Sequence, residues 1–136
     1  MKKVLTALLA MLVVITFSVN AIAATGDDLI ITPYWNYMDS IEVDVNFLSN
    51  TGKATATITR IYGVTTSLEA TLSVYKQVGS DWIFIDSTSG SSTRALGLEL
   101  DFNAESGVTY KAVVDVTAYG NGGSETDTAE KIKTCP

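Results

Sequence analysis

The sequence predicts an all-β domain, an antiparallel β-sandwich of about seven strands, and three observations predict it. Between residues 41 and 119 apolar and polar side chains alternate with a period of two, the repeat of an extended chain buried on one face. Turn-forming residues interrupt the alternation about every ten positions, and no segment carries the 3.6-residue period of an amphipathic helix. About seven strands in ~110 residues are more than one open sheet needs and suit two packed layers.

The chain opens on an export signal. Lys2 and Lys3 form a positive start, Val4 to Val19 contains no charge, and Ala21-Ile22-Ala23 places small residues where a signal peptidase must fit. Cleavage is expected after Ala23 or Ala24. An uncleaved anchor would need ~20 apolar residues to cross a bilayer, more than the sixteen of Val4 to Val19. Removing 23 of 136 residues leaves 113, read as one domain spanning 24–136. Nine basic and fifteen acidic residues give a net charge of -6, and losing Lys2 and Lys3 takes it to -8. Such a surface repels nucleic acid and anionic lipid, so neither nucleic acid nor, after cleavage, a membrane is an expected partner.

Each strand has its own pattern. Ile41, Val43, Val45 and Phe47 alternate with Glu42, Asp44 and Asn46, Asn50-Thr51-Gly52 is read as a turn, and Lys53 to Ile61 resumes with Ala54, Ala56 and Ile58 on one side. Leu68, Ala70, Leu72 and Val74 form the next apolar face, and Gly79-Ser80-Asp81 turns into Trp82 to Asp86. Ser87 to Thr93 has no apolar residue and is read as a solvated loop whose tip is a contact surface. Leu96, Leu98, Leu100 and Phe102 then alternate cleanly, Glu105-Ser106-Gly107 turns, and Tyr110, Ala112, Val114, Val116 and Ala118 make another face. Gly120-Asn121-Gly122-Gly123 suits a tight reversal. The polar stretch Ser124 to Thr134 is read as an edge strand, with Lys131 and Lys133 discouraging edge-to-edge association.

The run from Glu105 to Gly120, a Gly-containing turn leading to Tyr110, alternating Val and Ala, and then a Gly-rich turn, resembles the penultimate strand of a fibronectin type III or related immunoglobulin-like domain. The resemblance implies an immunoglobulin-like sandwich in which the Tyr110 hydroxyl bonds back to the backbone at a corner between strands. It covers about the last third of the chain. Trp35 and Trp82 depart from the family's buried Trp on an early strand. The chain as a whole, with Pro33-Tyr34-Trp35-Asn36-Tyr37 and a single Cys near its end, also resembles small secreted proteins of Gram-positive bacteria.

The residue inventory bounds the chemistry. With no His, Ser-His-Asp and Cys-His nucleophile systems and His-ligated zinc have no parts. Cys135, the single cysteine, forms no internal disulfide; it either pairs with a second chain as a disulfide-linked dimer or is an unpaired tail residue. Glu99 and Asp101 are the carboxylate pair closest to a glycosidase arrangement, but alternating charge is what the solvent face of any half-buried strand shows. Asp27, Asp28, Asp39, Asp81, Asp86 and Asp127 lack calcium-loop spacing and read as solvated turn carboxylates. No cofactor or metal is expected.

Binding residues are easier to nominate. Tyr34, Trp35 and Tyr37 form the densest aromatic cluster and serve either as ligand contacts or as a plug closing one end of the sandwich. Trp82-Ile83-Phe84-Ile85 is apolar on both faces, so its outward pair is either a partner patch or is covered by Tyr75 across the hairpin. The expectation is a secreted, non-enzymatic binding or adhesion module for a protein or glycan surface. A self-associating extracellular structural subunit is the alternative, and a small carbohydrate-binding module using Tyr34, Trp35 and Tyr37 is a third.

Overall fold

Each alternating segment becomes a strand because only pairing satisfies its backbone polar groups while one face is buried. The computed structural model describes residues 35–136; the export signal and Tyr34 lie outside the described residues. Seven strands follow in order: β1 (Met38–Leu48), β2 (Thr51–Arg60), β3 (Thr65–Val78), β4 (Asp81–Ser92), β5 (Leu96–Asn103), β6 (Thr109–Gly120) and β7 (Gly123–Thr134). Two antiparallel sheets result, one ordered β1-β2-β5 and the other β4-β3-β6-β7. The predicted all-β sandwich is the observed fold.

The core forms where the predicted inner faces meet. Val45 from β1, Ala54 and Ile58 from β2, Leu68, Leu72 and Val74 from β3, and Ala112, Val114 and Ala118 from β6 are fully or almost fully buried. Phe47, Phe102 and Tyr110 close one end, with ring centroids 5.1 to 6.4 Å apart. Trp35, Tyr37 and Met38 close the other end, where the backbone oxygen of Tyr37 accepts from the Ile61 N–H and the Thr65 hydroxyl. Tyr110 is 1 % exposed, and its hydroxyl accepts a 2.8 Å bond from the Glu105 backbone N–H.

Three local expectations are corrected. Ser87 to Thr93 is not a loop: residues through Ser92 continue β4, paired with β3 from Ser73 back to Leu68. Its inner positions stay small because β5 crosses close beneath. A β-carbon on Gly90 would lie 2.9 Å from Leu98 Cδ2, so there is no room for the apolar residues that would have revealed a strand. The first hairpin turns at Ser49-Asn50, with Ser49 at a positive φ of 55°, so Thr51 and Gly52 already belong to β2. Gly52 is needed inside the strand, where the Phe102 ring fills its side-chain space.

Cys135 is the third correction. It is not a frayed tail residue but a core residue at 2 % exposure. Its N–H donates to Val108 O and its carbonyl accepts from Gly107 N, both at 2.9 Å, which fastens the chain against the β5–β6 turn. A disulfide to another molecule would first require this end of the chain to detach.

Candidate functional site

Alternation that sends one set of side chains inward sends the other set onto an outer face, and the broad outer face of the β4-β3-β6-β7 sheet holds the chemically richest set. At one end, Tyr75 of β3 meets Phe84 of β4 edge to face at 5.8 Å between centroids. Lys111 of β6 reaches over both neighbours, its ammonium 4.5 Å from the Trp82 ring centroid and 5.5 Å from that of Tyr75. Ile132 of β7, paired with Lys111, is 48 % exposed on the same face.

The parity of Trp82 to Ile85, ambiguous in the sequence, is decided by a bulge. Val74 pairs with Asp86 and Tyr75 with Phe84, leaving Ile85 as the extra residue. Ile85 therefore packs on the core while Trp82 and Phe84 stay on the outer face. Tyr75 does cover Phe84 across the hairpin, yet Phe84 remains 55 % exposed and Ile83, at the rim, 46 %. The cover that Tyr75 gives Phe84 is therefore partial.

Farther along the same face the aromatic end gives way to hydroxyls and carboxylates. A shallow groove of about 900 Å³ crosses all four strands there. Thr71 and Ser89 share a 2.7 Å hydroxyl bond, Thr128 donates to Asp115 at 2.7 Å, and Tyr119 donates to Glu69 at 3.2 Å. That bond to Glu69 stabilises the protonated phenol and raises the pKa of Tyr119 above its usual value. The outer face thus joins an apolar, aromatic anchor to a polar groove that can donate and accept hydrogen bonds.

The predicted aromatic candidates do not converge here. Trp35 and Tyr37 are half-buried at the far end of the sandwich. The Trp35 indole N–H donates to Asp127 at 2.5 Å, and a single carboxylate, Glu125, accepts the backbone N–H groups of Asn36, Tyr37 and Met38 at 2.9, 2.6 and 3.0 Å. The Tyr37 ring lies directly over Gly120. Trp35 and Tyr37 act as the plug, locked by β7, whereas Trp82, among the described residues, is the nominated contact on the outer sheet face.

Glu99 and Asp101 flank Lys53 on the other sheet, at 3.4 and 3.7 Å. The hydrogen bond to Glu99, with the charge of Asp101 beside it, raises the Lys53 pKa. Both carboxylates are largely exposed, the geometry of a surface charge ladder. Among the described residues, no three acidic or cysteine side chains gather in a way that could hold a metal ion.

Sequence reasoning did not find Glu125 and Asp127 as clamps or Glu69 and Asp115 as groove residues. The two-residue spacing of Glu125 and Asp127 was a usable signal that both face one side. Which strand lies opposite them is not encoded in that spacing. No protein-family model and no curated protein matches the chain.

Proposed function

We propose that this protein is a secreted, non-enzymatic binding or adhesion module that holds its partner, a protein or glycan surface, on the outer face of the β4-β3-β6-β7 sheet. The observation that carries this reading is the exposed Phe84, flanked by Tyr75 and Trp82 on the same sheet face as the hydroxyl-lined groove. Aromatic side chains left open at the surface bury much area on contact for little lost rotamer freedom, and polar groups beside them set orientation. The export signal and residue inventory described above favour the same class. A glycan role through Tyr34, Trp35 and Tyr37 is weakened because Trp35 and Tyr37 already serve their own fold.

The sandwich is further read as immunoglobulin-like, of the fibronectin type III-like kind. In an immunoglobulin constant domain the first, second, fifth and fourth strands form one sheet and the third, sixth and seventh the other. The order β1-β2-β5 facing β4-β3-β6-β7 differs from that only in the sheet that the fourth strand joins. The bond from Glu105 N–H to the Tyr110 hydroxyl supports the same reading. The likeness to small secreted proteins of Gram-positive bacteria supports an extracellular setting.

Retention on immobilised cell-wall polysaccharides and surface proteins tests the function. The unmodified protein is expected to bind one of these specifically. Trp82→Ala or Phe84→Ser should weaken retention by ~10-fold or more, the loss typical of a central aromatic contact, while Glu99→Gln on the other sheet leaves it unchanged. Absence of any specific retention, or equal retention by all variants, would overturn it.

A further inference from the structure

We propose that the partner on the outer face of the β4-β3-β6-β7 sheet is a basic protein segment, extended along β3 with an apolar side chain on Phe84 and Trp82 and a Lys or Arg over the groove at Asp115 and Glu69. This rests on the reading of that face as the binding surface and chooses between its two partner classes.

The register of the sheet fixes which side chains share the face. Leu68, Ala70, Leu72 and Val74 are buried, so the alternation of β3 turns Glu69, Thr71, Ser73 and Tyr75 outward. Pairing then sets Asp115 of β6 beside Thr71 and Lys111 beside Tyr75, while Val113, beside Ser73, is flanked by Glu130 of β7. Among the described residues, Lys111 is the one cation at these outward positions, against the three carboxylates Glu69, Asp115 and Glu130.

The charges are divided along the strands. Lys111 lies over the Trp82 and Tyr75 rings, so the apolar end already holds a cation and repels another. Glu69 and Asp115, both exposed in the groove, accept bonds from the neutral hydroxyls of Tyr119 and Thr128 and make no ion pair among the described residues. Their charge is left for a partner to neutralise. A neutral polysaccharide offers hydroxyls and no counter-charge, and an anionic one adds like charge. A protein segment carries cation and apolar anchor on one chain, and Arg meets a carboxylate with two parallel N–H donors.

Strand geometry sets the spacing. Four residues of β3 separate Tyr75 from Thr71, the neighbour of Asp115, which is ~13 Å of strand, and Glu69 lies ~20 Å from Tyr75. An extended partner rises at the same rate and turns every second side chain to the sheet. Its cation therefore stands four or six positions from its anchor. Between the two ends lie Ser73 and its partner Ser87, small enough for a backbone to pass over.

Panning a random dodecapeptide library on the purified chain tests the assignment. Enriched peptides are expected to carry Lys or Arg four or six positions from an aromatic residue or Leu. A resynthesised peptide should bind about tenfold more weakly when NaCl rises from ~0.1 M to ~1 M, which shortens the screening length from ~10 Å to ~3 Å. Asp115→Asn combined with Glu69→Gln should weaken it by ~10-fold or more, because the amides still accept the Thr128 and Tyr119 hydroxyls but carry no charge. Asp101→Asn on the other sheet should leave binding unchanged. Failure to enrich any peptide, enrichment of peptides without a cation, or a selected peptide insensitive to the double variant overturns the proposal. Retention on a neutral polysaccharide that survives the double variant also overturns it, giving the face to a glycan and leaving the binding surface itself in place. Equal retention by Trp82→Ala and the unmodified protein sinks the binding surface instead.

Discussion

The ring of Tyr37 occupies the space that a side chain on Gly120 would fill: a β-carbon there would lie 2.0 Å from Cε1 and 2.2 Å from Cδ1. Gly120→Ala is therefore expected to destabilise the domain by ~1–3 kcal/mol, the range for overpacking. Urea denaturation reads the loss. In the double variant with Tyr37→Ala the two effects should be strongly non-additive, since the smaller residue removes the clash.

Glu125 holds the entry to β1 by accepting three consecutive backbone N–H groups. Glu125→Ala leaves those donors without their acceptor and should cost ~1–3 kcal/mol. Hydrogen exchange at Tyr37 and Met38 should accelerate more than exchange in β3, because the plug opens before the sheet does.

Tyr110 combines a buried ring with one hydroxyl bond to the Glu105 N–H. Tyr110→Phe keeps the ring contacts with Phe47 and Phe102 and should cost about 1–2 kcal/mol for the lost bond. Tyr110→Ala opens a cavity and should cost more, ~3–5 kcal/mol. A Tyr110→Phe variant that melts with the unmodified protein would mean that the hydroxyl bond contributes nothing, and equal costs for the two variants would mean that the ring packing contributes nothing.

The enclosed thiol of Cys135 should react with an aromatic disulfide reagent only as fast as the end of the chain opens. The reaction should accelerate in denaturant and follow the opening of the contact with Val108. Immediate stoichiometric labelling of the native protein would contradict its burial.

Asp44 gives a pH dependence with a definite sign. Burial acts to raise its pKa, but bonds from the Val45 N–H and the Asn46 amide, with Lys133 and Lys131 nearby, outweigh it and lower the pKa below 3.8. A carboxylate with a depressed folded-state pKa stabilises above the unfolded value and loses that contribution as pH falls through the folded one. Asp44→Asn should therefore be less stable than the unmodified chain at neutral pH, by under ~1 kcal/mol for so exposed a group. The difference should shrink as pH drops below 3.8 and vanish at lower pH.

The inner faces of β1, β2, β3, β5 and β6 are legible in the sequence, down to residues such as Val45, Leu72 and Val114. A period-two pattern in a half-buried strand states directly which side is apolar. β4 was legible only to Asp86, because its later inner positions are limited by the approach of Leu98 to Gly90 and so carry no apolar signal. The burial of Cys135 is not legible for a related reason: a single buried position after a polar strand has no periodicity to reveal it.

The candidate site was legible only in pieces. Trp82 stood out by composition, but its grouping with Lys111, separated by 29 positions in sequence, arises because β3 lies between β4 and β6 and brings their outer side chains together. Strand alternation is a local property, written in consecutive residues by the cost of burying polar groups, and it determined the fold class and the core faces, while composition alone, with no His, excluded histidine chemistry. Neighbour relations between strands depend on loop paths, bulges and small-residue gaps that act across the whole chain. Only the tertiary structure therefore decided that Trp35 and Tyr37 close the sandwich, that Glu125 clamps them, and that Trp82, Phe84 and Tyr75 share one open face.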